Sequence, residues 1–181
     1  MLPHFQANLT PSRELSIDES MIAFRGRVAF RQYIKGKPQP WGIKAYVLSE
    51  SRTGYMYNLL IYYGKETLLT NVPGRNHTTK VIMTLMEPLA NMGYDLYTDR
   101  FYTSPQVASE LLDIKTTVTG TVMTNKRNMP AAVKQKRRHN RGDVATYQHG
   151  PQIVMQWTDK RTLTTLSTKY TNKMVSVLLL E

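Results

Sequence analysis

Cysteine is missing altogether from this 181-residue sequence. Its absence removes disulfides, thiolate metal sites and a cysteine nucleophile, and leaves no basis for a secreted, cross-linked framework. Long apolar runs are missing as well. No stretch approaches the roughly 18 residues of a membrane span, and the opening Met1-Leu-Pro-His-Phe-Gln-Ala-Asn has neither the basic start nor the apolar middle of a secretion signal. A soluble protein with no membrane partner is the expectation. Histidines are few and scattered: His4, His77, His139 and His149 fall outside zinc-ligand spacing, so surface or loop roles are expected for them. Gly64-Lys-Glu-Thr lacks the earlier glycine of a phosphate loop, and Ser20, Ser104 and Ser167 have neither a nucleophile-elbow setting nor a paired base.

Acidic residues are also scarce, with 13 Asp and Glu against 24 Lys and Arg and a formal net charge of +11. Between Glu19 and Glu50 there is no acid, while Arg25, Arg27, Arg31, Lys35, Lys37 and Lys44 alternate with Phe24, Phe30, Tyr33 and Trp41. A second acid-free stretch, between Asp113 and Asp143, carries Lys115, Lys126, Arg127, Lys134, Lys136, Arg137, Arg138 and Arg141. Each phosphate neutralised by such residues releases counterions, so two runs of this kind imply salt-sensitive, sequence-independent binding to nucleic acid. A single charge run reads equally well as a solvated face; two point to nucleic acid. Lys134-Gln-Lys-Arg-Arg also has the form of a nuclear-localisation patch. Tyr33 and Trp41 are candidates for base stacking, but at strand spacing they fit a buried core better.

What is present fits one folded domain: 41% hydrophobic and 20% charged residues in a chain long enough for one sizeable core. Leu15 to Phe24 alternates with period two, which predicts a strand with Asp18 on its polar face. Trp41 to Ser49 and Gly54 to Tyr63 predict an antiparallel hairpin across Glu-Ser-Arg-Thr-Gly. Val81, Ile82, Leu85, Met86 and Leu89 recur at helical spacing, with Pro88 expected to kink or end the helix. Tyr94 to Asp99 returns to strand with Asp99 on the less apolar side, and Ser104-Pro105 starts a short helix through Leu112. Strands follow at Thr116 to Val122, Asp143 to Tyr147, Ile153 to Trp157 and Thr162 to Ser167. This order permits the strands of Asp18 and Asp99 to pair in parallel, with the two acids side by side. Carboxylates so placed suit Mg2+ or Mn2+, hard cations that leave positions open for water and phosphate. An Asp at a strand end is also a common turn or capping residue, and both roles stay open on spacing alone.

Ordered blocks across most of the chain add a resemblance. Pro11-Ser-Arg-Glu-Leu-Ser-Ile-Asp-Glu-Ser-Met-Ile-Ala-Phe-Arg-Gly-Arg and Gln32-Tyr-Ile-Lys-Gly-Lys-Pro-Gln-Pro-Trp-Gly-Ile-Lys resemble the opening of the piggyBac transposase catalytic domain. Thr53-Gly-Tyr, Ile61-Tyr-Tyr-Gly-Lys, Tyr97-Thr-Asp-Arg-Phe-Tyr-Thr-Ser, Gly120-Thr-Val-Met-Thr-Asn-Lys-Arg-Asn-Met-Pro and Trp157-Thr-Asp-Lys-Arg resemble its later blocks in the same order. The resemblance implies an α/β, RNase H-like mixed sheet with flanking helices and an inserted β-rich segment at about 125–170. It also implies cut-and-paste DNA transposition with three aspartates and divalent metal. By that resemblance, in a complete family member water would nick the transposon end, the freed 3′-hydroxyl would form a hairpin, and a later 3′-hydroxyl would join target DNA at TTAA. Asp18 and Asp99 match the first two aspartates as catalytic and metal-ligating residues. Arg100 stands where Asn is common. The block carrying the third aspartate follows the insertion in the family and does not occur within these 181 residues. Asp143 and Asp159 lie inside the insertion, and Glu181 is the final residue. The expectation is a catalytic-core fragment, inactive alone, acting on DNA in the nucleus, with an exposed sheet edge compatible with a homodimer. The alternative is a non-enzymatic, domesticated DNA-binding or chromatin-associated module.

Overall fold

The structure is a computed structural model that describes residues 2–36, 39–135 and 140–171. Lys37, Lys136, Arg137 and Arg138, assigned above to the basic surfaces, lie outside the described residues. The described chain is built on one nine-stranded mixed sheet. Its first half is β1 (Glu14–Ala23), β2 (Arg31–Tyr33), β3 (Trp41–Glu50) and β4 (Met56–Ile61). β3 pairs antiparallel with β1 on one side, while β2 and β4 lie end to end along its other side. β5 (Asp95–Thr98) and β6 (Thr117–Thr121) then add in parallel, β1 to β5 to β6. An antiparallel meander of β7 (Val144–His149), β8 (Gln152–Thr158) and β9 (Thr162–Ser167) continues the same sheet, because β9 pairs with β6.

The helices between these strands start and stop where backbone chemistry requires. After the short α1 (Leu2–Asn8), α2 (His77–Met86) begins at Asn76, whose side chain accepts the Thr79 N–H at 2.9 Å. It gives way to a tighter turn over Glu87–Leu89, because Pro88 offers no N–H to continue the ladder. α3 (Pro105–Asp113) is capped by Ser104, whose hydroxyl accepts the Val107 N–H at 3.2 Å, with Pro105 preset for the first turn. It forms the crossover between parallel β5 and β6. α4 (Ala131–Lys134) follows β6.

The alternation seen in the sequence separates two sheet faces. Leu15, Ile17, Tyr46, Leu48, Leu96, Val118 and Leu166 share one face by register and form the core with Val81, Ile82, Leu85 and Met86 of α2 and Val107, Ala108 and Leu111 of α3. Asn58 fastens β4 to this layer by donating to the Leu85 carbonyl at 2.9 Å. Asp18 belongs to the opposite face. Tyr33 and Trp41 do not join the core as their spacing suggested; they remain 55% and 49% exposed, because they sit at the outer end of the β2–β3 ladder, away from both helices. Among the described residues, no helix is long and apolar enough to cross a membrane.

Candidate functional site

The parallel β1–β5 ladder ends with Ile17 opposite Thr98, so Asp18 and Asp99 are the next residues on each strand. Neighbouring strands run about 4.8 Å apart and side chains alternate, which sets these two acids beside each other on one face. Asp18 lies within β1, while Asp99 stands just past the end of β5, and both are exposed.

Each carboxylate is oriented by backbone donors through one oxygen. Asp18 Oδ1 accepts the Glu19 N–H at 2.7 Å. Asp99 Oδ1 accepts the N–H groups of Phe101 and Tyr102 at 2.9 and 3.3 Å, closing an Asx-type turn. Thr103 locks that turn from the other side, its hydroxyl donating to the Asp99 carbonyl at 2.7 Å and meeting the Thr98 hydroxyl at 2.8 Å. The capping role open in the sequence is therefore real for Asp99, yet it occupies a single oxygen. No protein donor meets either Oδ2 among the described residues, so both acids combine a fixed direction with a free hard ligand atom.

Two neighbours complete the surroundings: Tyr102, which was not singled out in the sequence, and Lys126, one of its basic candidates. Tyr102 is buried behind the acids, and burial first, then the charges of Glu19, Tyr46, Asp18 and Asp99, raise its phenol pKa far above the usual range. The phenol therefore stays protonated. It donates a long hydrogen bond, 3.5 Å, to Glu19 Oε2 on the core side of β1. Lys126 approaches from the loop after β6, with Nζ donating to the Phe101 carbonyl at 2.9 Å and lying 5.9 Å from the Phe101 ring. Burial lowers its pKa, against the opposing attraction of Asp99. Tyr102 falls in the resembled block of Asp99, and that block is its only sequence signal.

The other basic candidates are more dispersed. Arg25, Arg27, Lys35, Arg127 and Lys134 are exposed, whereas the Arg31 guanidinium folds over Trp41 and Arg141 pairs with Asp159 at 2.7 Å. His77 is exposed, as expected, though on a helix and not in a loop: it opens α2, where Nε2 meets the Tyr46 hydroxyl at 3.1 Å. Among the described residues, no group of three or more His, Cys, Asp and Glu is assembled as a metal site, so the chain offers a carboxylate pair.

Comparison with known proteins finds a transposase family and a transposase structure similar to this chain. The family model described as Transposase IS4 matches residues 1–178. A solved cryo-EM structure, of the piggyBac transposase synaptic complex with hairpin DNA, matches with a TM-score of 0.84 and 30% sequence identity. The match covers 98% of this chain and 37% of that one, so the chain spans well under half the length of that transposase. The shared architecture is the mixed α/β, RNase H-like fold of the transposase catalytic domain.

Proposed function

The chain belongs to the Transposase IS4 family, in its piggyBac type, and from that membership we propose that it carries part of a DNA cleavage and strand-transfer centre, with Asp18 and Asp99 as metal ligands. The observation that carries this reading is the parallel β1–β5 register, which brings the two acids together on a common face with one oxygen each unengaged. Oxygen donors of this kind suit Mg2+ or Mn2+. When bound, such an ion supplies charge neutralisation at phosphoryl oxygens and activation of the attacking oxygen.

The chain's own groups divide the remaining work. Backbone N–H groups at residues 19, 101 and 102 hold the carboxylates in place before DNA arrives, so less ordering is needed on binding. Tyr102 stays protonated and adds no further negative charge behind the acids. Lys126 places a cation beside Asp99, where it can meet a phosphate. Arg25, Arg27, Arg31, Lys35, Lys37, Arg127, Lys134, Lys136, Arg137, Arg138 and Arg141 extend the phosphate-binding surface in this reading. Residues 125–170 are assigned to the family's β-rich insertion, and the third aspartate to the block that follows it. TTAA target choice, nuclear action and pairing of two copies also belong to this reading. Residues 1–181 by themselves are expected to bind DNA and metal without efficient strand transfer, since losing one ligand removes electrostatic stabilisation where charge develops.

The test is binding of residues 1–181 to transposon-end DNA with and without Mn2+. We expect a metal-independent part with a steep salt slope and a Mn2+-dependent gain that Asp18→Asn and Asp99→Asn both abolish. Indifference to Mn2+ and to both substitutions would instead support a module that only binds DNA.

A further inference from the structure

The exposed aromatics on β2 and β3 form an assembled surface of their own. Tyr33 and Trp41 are direct cross-strand partners, with ring centroids 5.0 Å apart and planes tilted by 56°. The Arg31 guanidinium lies 4.5 Å from the Trp41 centroid, and its Nη1 donates at 3.4 Å to the carbonyls of Arg25 and Gly26. These contacts fix the indole and pin the preceding loop, yet about half of each aromatic side chain still meets solvent. Beside them opens a cleft of about 600 Å³ lined by Phe24, Arg25, Arg31, Gln39, Pro40 and Trp41.

We propose that this cluster is a stacking site for unpaired bases of single-stranded DNA, a role that rests on the DNA-processing reading above but asks for a different form of DNA. Exposed, rigid aromatic faces cost burial energy unless something covers them, and every base offers a π-face to do so. The chemistry of the surroundings selects the occupant. No Asp or Glu occurs between Glu19 and Glu50, while Arg25 lines the cleft and Arg27 and Lys35 of the same stretch are exposed, so an anionic chain carrying flat apolar groups fits and a neutral or basic protein surface fits less well.

Position supports the same occupant. The β1–β3 register runs unbroken from Leu15↔Glu50 to Ala23↔Gly42 and pairs Asp18 with Val47. Trp41 is an even number of residues from Val47, so it falls on the face of Asp18, about 20 Å along the strand. A DNA strand with a phosphate at the aspartates reaches the indole within about six nucleotides at duplex spacing. Bases opened from a duplex near the reacting phosphate would therefore find the rings on the same side of the sheet.

Tryptophan fluorescence tests this directly, because the chain has two tryptophans and Trp157→Phe leaves Trp41 alone. We expect an oligothymidine strand to quench Trp41 more than a duplex of equal length does. Trp41→Ala should weaken single-strand binding by about 5- to 150-fold while changing duplex binding by less than about twofold, and Trp41→Phe should retain most of the affinity. Thermal melting checks that the variants are folded. Duplex binding without single-strand quenching, equal loss for both DNA forms in Trp41→Ala, or equal quenching by poly-glutamate would overturn the stacking site while leaving the DNA reading intact. Failure of the unmodified chain to bind either DNA form at low salt would overturn both.

Discussion

Asp95 and Asp99 lie four residues apart on one sheet face, and replacing each by Asn separates a structural acid from a site acid. Asp95 is buried at the start of β5, where it meets Arg13 Nε and Lys169 Nζ, each at 2.9 Å, and accepts the Thr117 hydroxyl at 2.7 Å. Burial alone raises its pKa, but the Thr117 hydroxyl, Lys169 and Arg13 together outweigh that and hold it below the ordinary value. Removing one member of a fully buried pair costs about 3–5 kcal/mol. Here Arg13 is 69% and Lys169 24% exposed, so the cations can turn to water, and the loss falls nearer the ~1.5–3 kcal/mol of charged hydrogen bonds. For a domain of this size, that is a drop in melting temperature of about 3–12 °C.

Asp99→Asn keeps the Oδ1 acceptor of the turn and removes repulsion from Asp18. Two unit charges near 5 Å in water repel by ~1 kcal/mol, so its melting temperature should stay level or rise slightly without metal. Because the folded pKa of Asp95 is depressed, its contribution is present above the unfolded value of about 3.9 and lost as pH falls through the folded value. The gap between wild type and Asp95→Asn should therefore be full at pH 7 and close in acid, as followed by circular dichroism melts. A loss under about 0.5 kcal/mol for Asp95→Asn, below the effects assigned to buried networks, would refute the reasoning. So would an equal loss for Asp99→Asn.

Gly120 has no room for a side chain, since a Cβ there would meet the Thr98 carbonyl and the Thr103 hydroxyl next to Asp99. Gly120→Ala should cost about 1–3 kcal/mol in urea unfolding and reduce Mn2+-dependent DNA binding; unchanged stability would contradict the close β5–β6 approach. Glu50 is held down to about 2 by the Thr53 hydroxyl foremost and by Ser12. Its contribution is present above the unfolded value of about 4.3 and lost as pH falls through about 2. NMR titration of Thr53→Ala should show this carboxylate moving up toward its ordinary range, and an unmoved value would remove Thr53 as the main cause.

The period-two and helical patterns were sufficient for β1, the β3–β4 hairpin, α2, β5, α3, β6 and the final meander, because one-sided burial leaves a regular trace in each. The three-residue β2 was too short to leave one, and α1 lies at the chain's start without a strong apolar stripe. Which acids gather was less legible. Parallel pairing of the strands of Asp18 and Asp99 was expected, but their matched positions depend on a register that periodicity alone does not select. Asp95 has the same alternation as Asp99, and only the arrival of Arg13 and Lys169 from distant parts of the chain gives it a structural role. For Tyr33 and Trp41, strand spacing suggested burial but could not show that the end of the ladder stays uncovered.

The central assignment, a metal held between Asp18 and Asp99, is tested most directly by letting Fe2+ replace Mg2+ and mapping ascorbate- and peroxide-driven scission of the protein backbone. The predicted cuts cluster at the β1 segment around Asp18 and the turn after Asp99, fade as Mg2+ is added, and vanish in Asp18→Asn and Asp99→Asn. Cuts spread along the chain, or the same cuts in both variants, would contradict it.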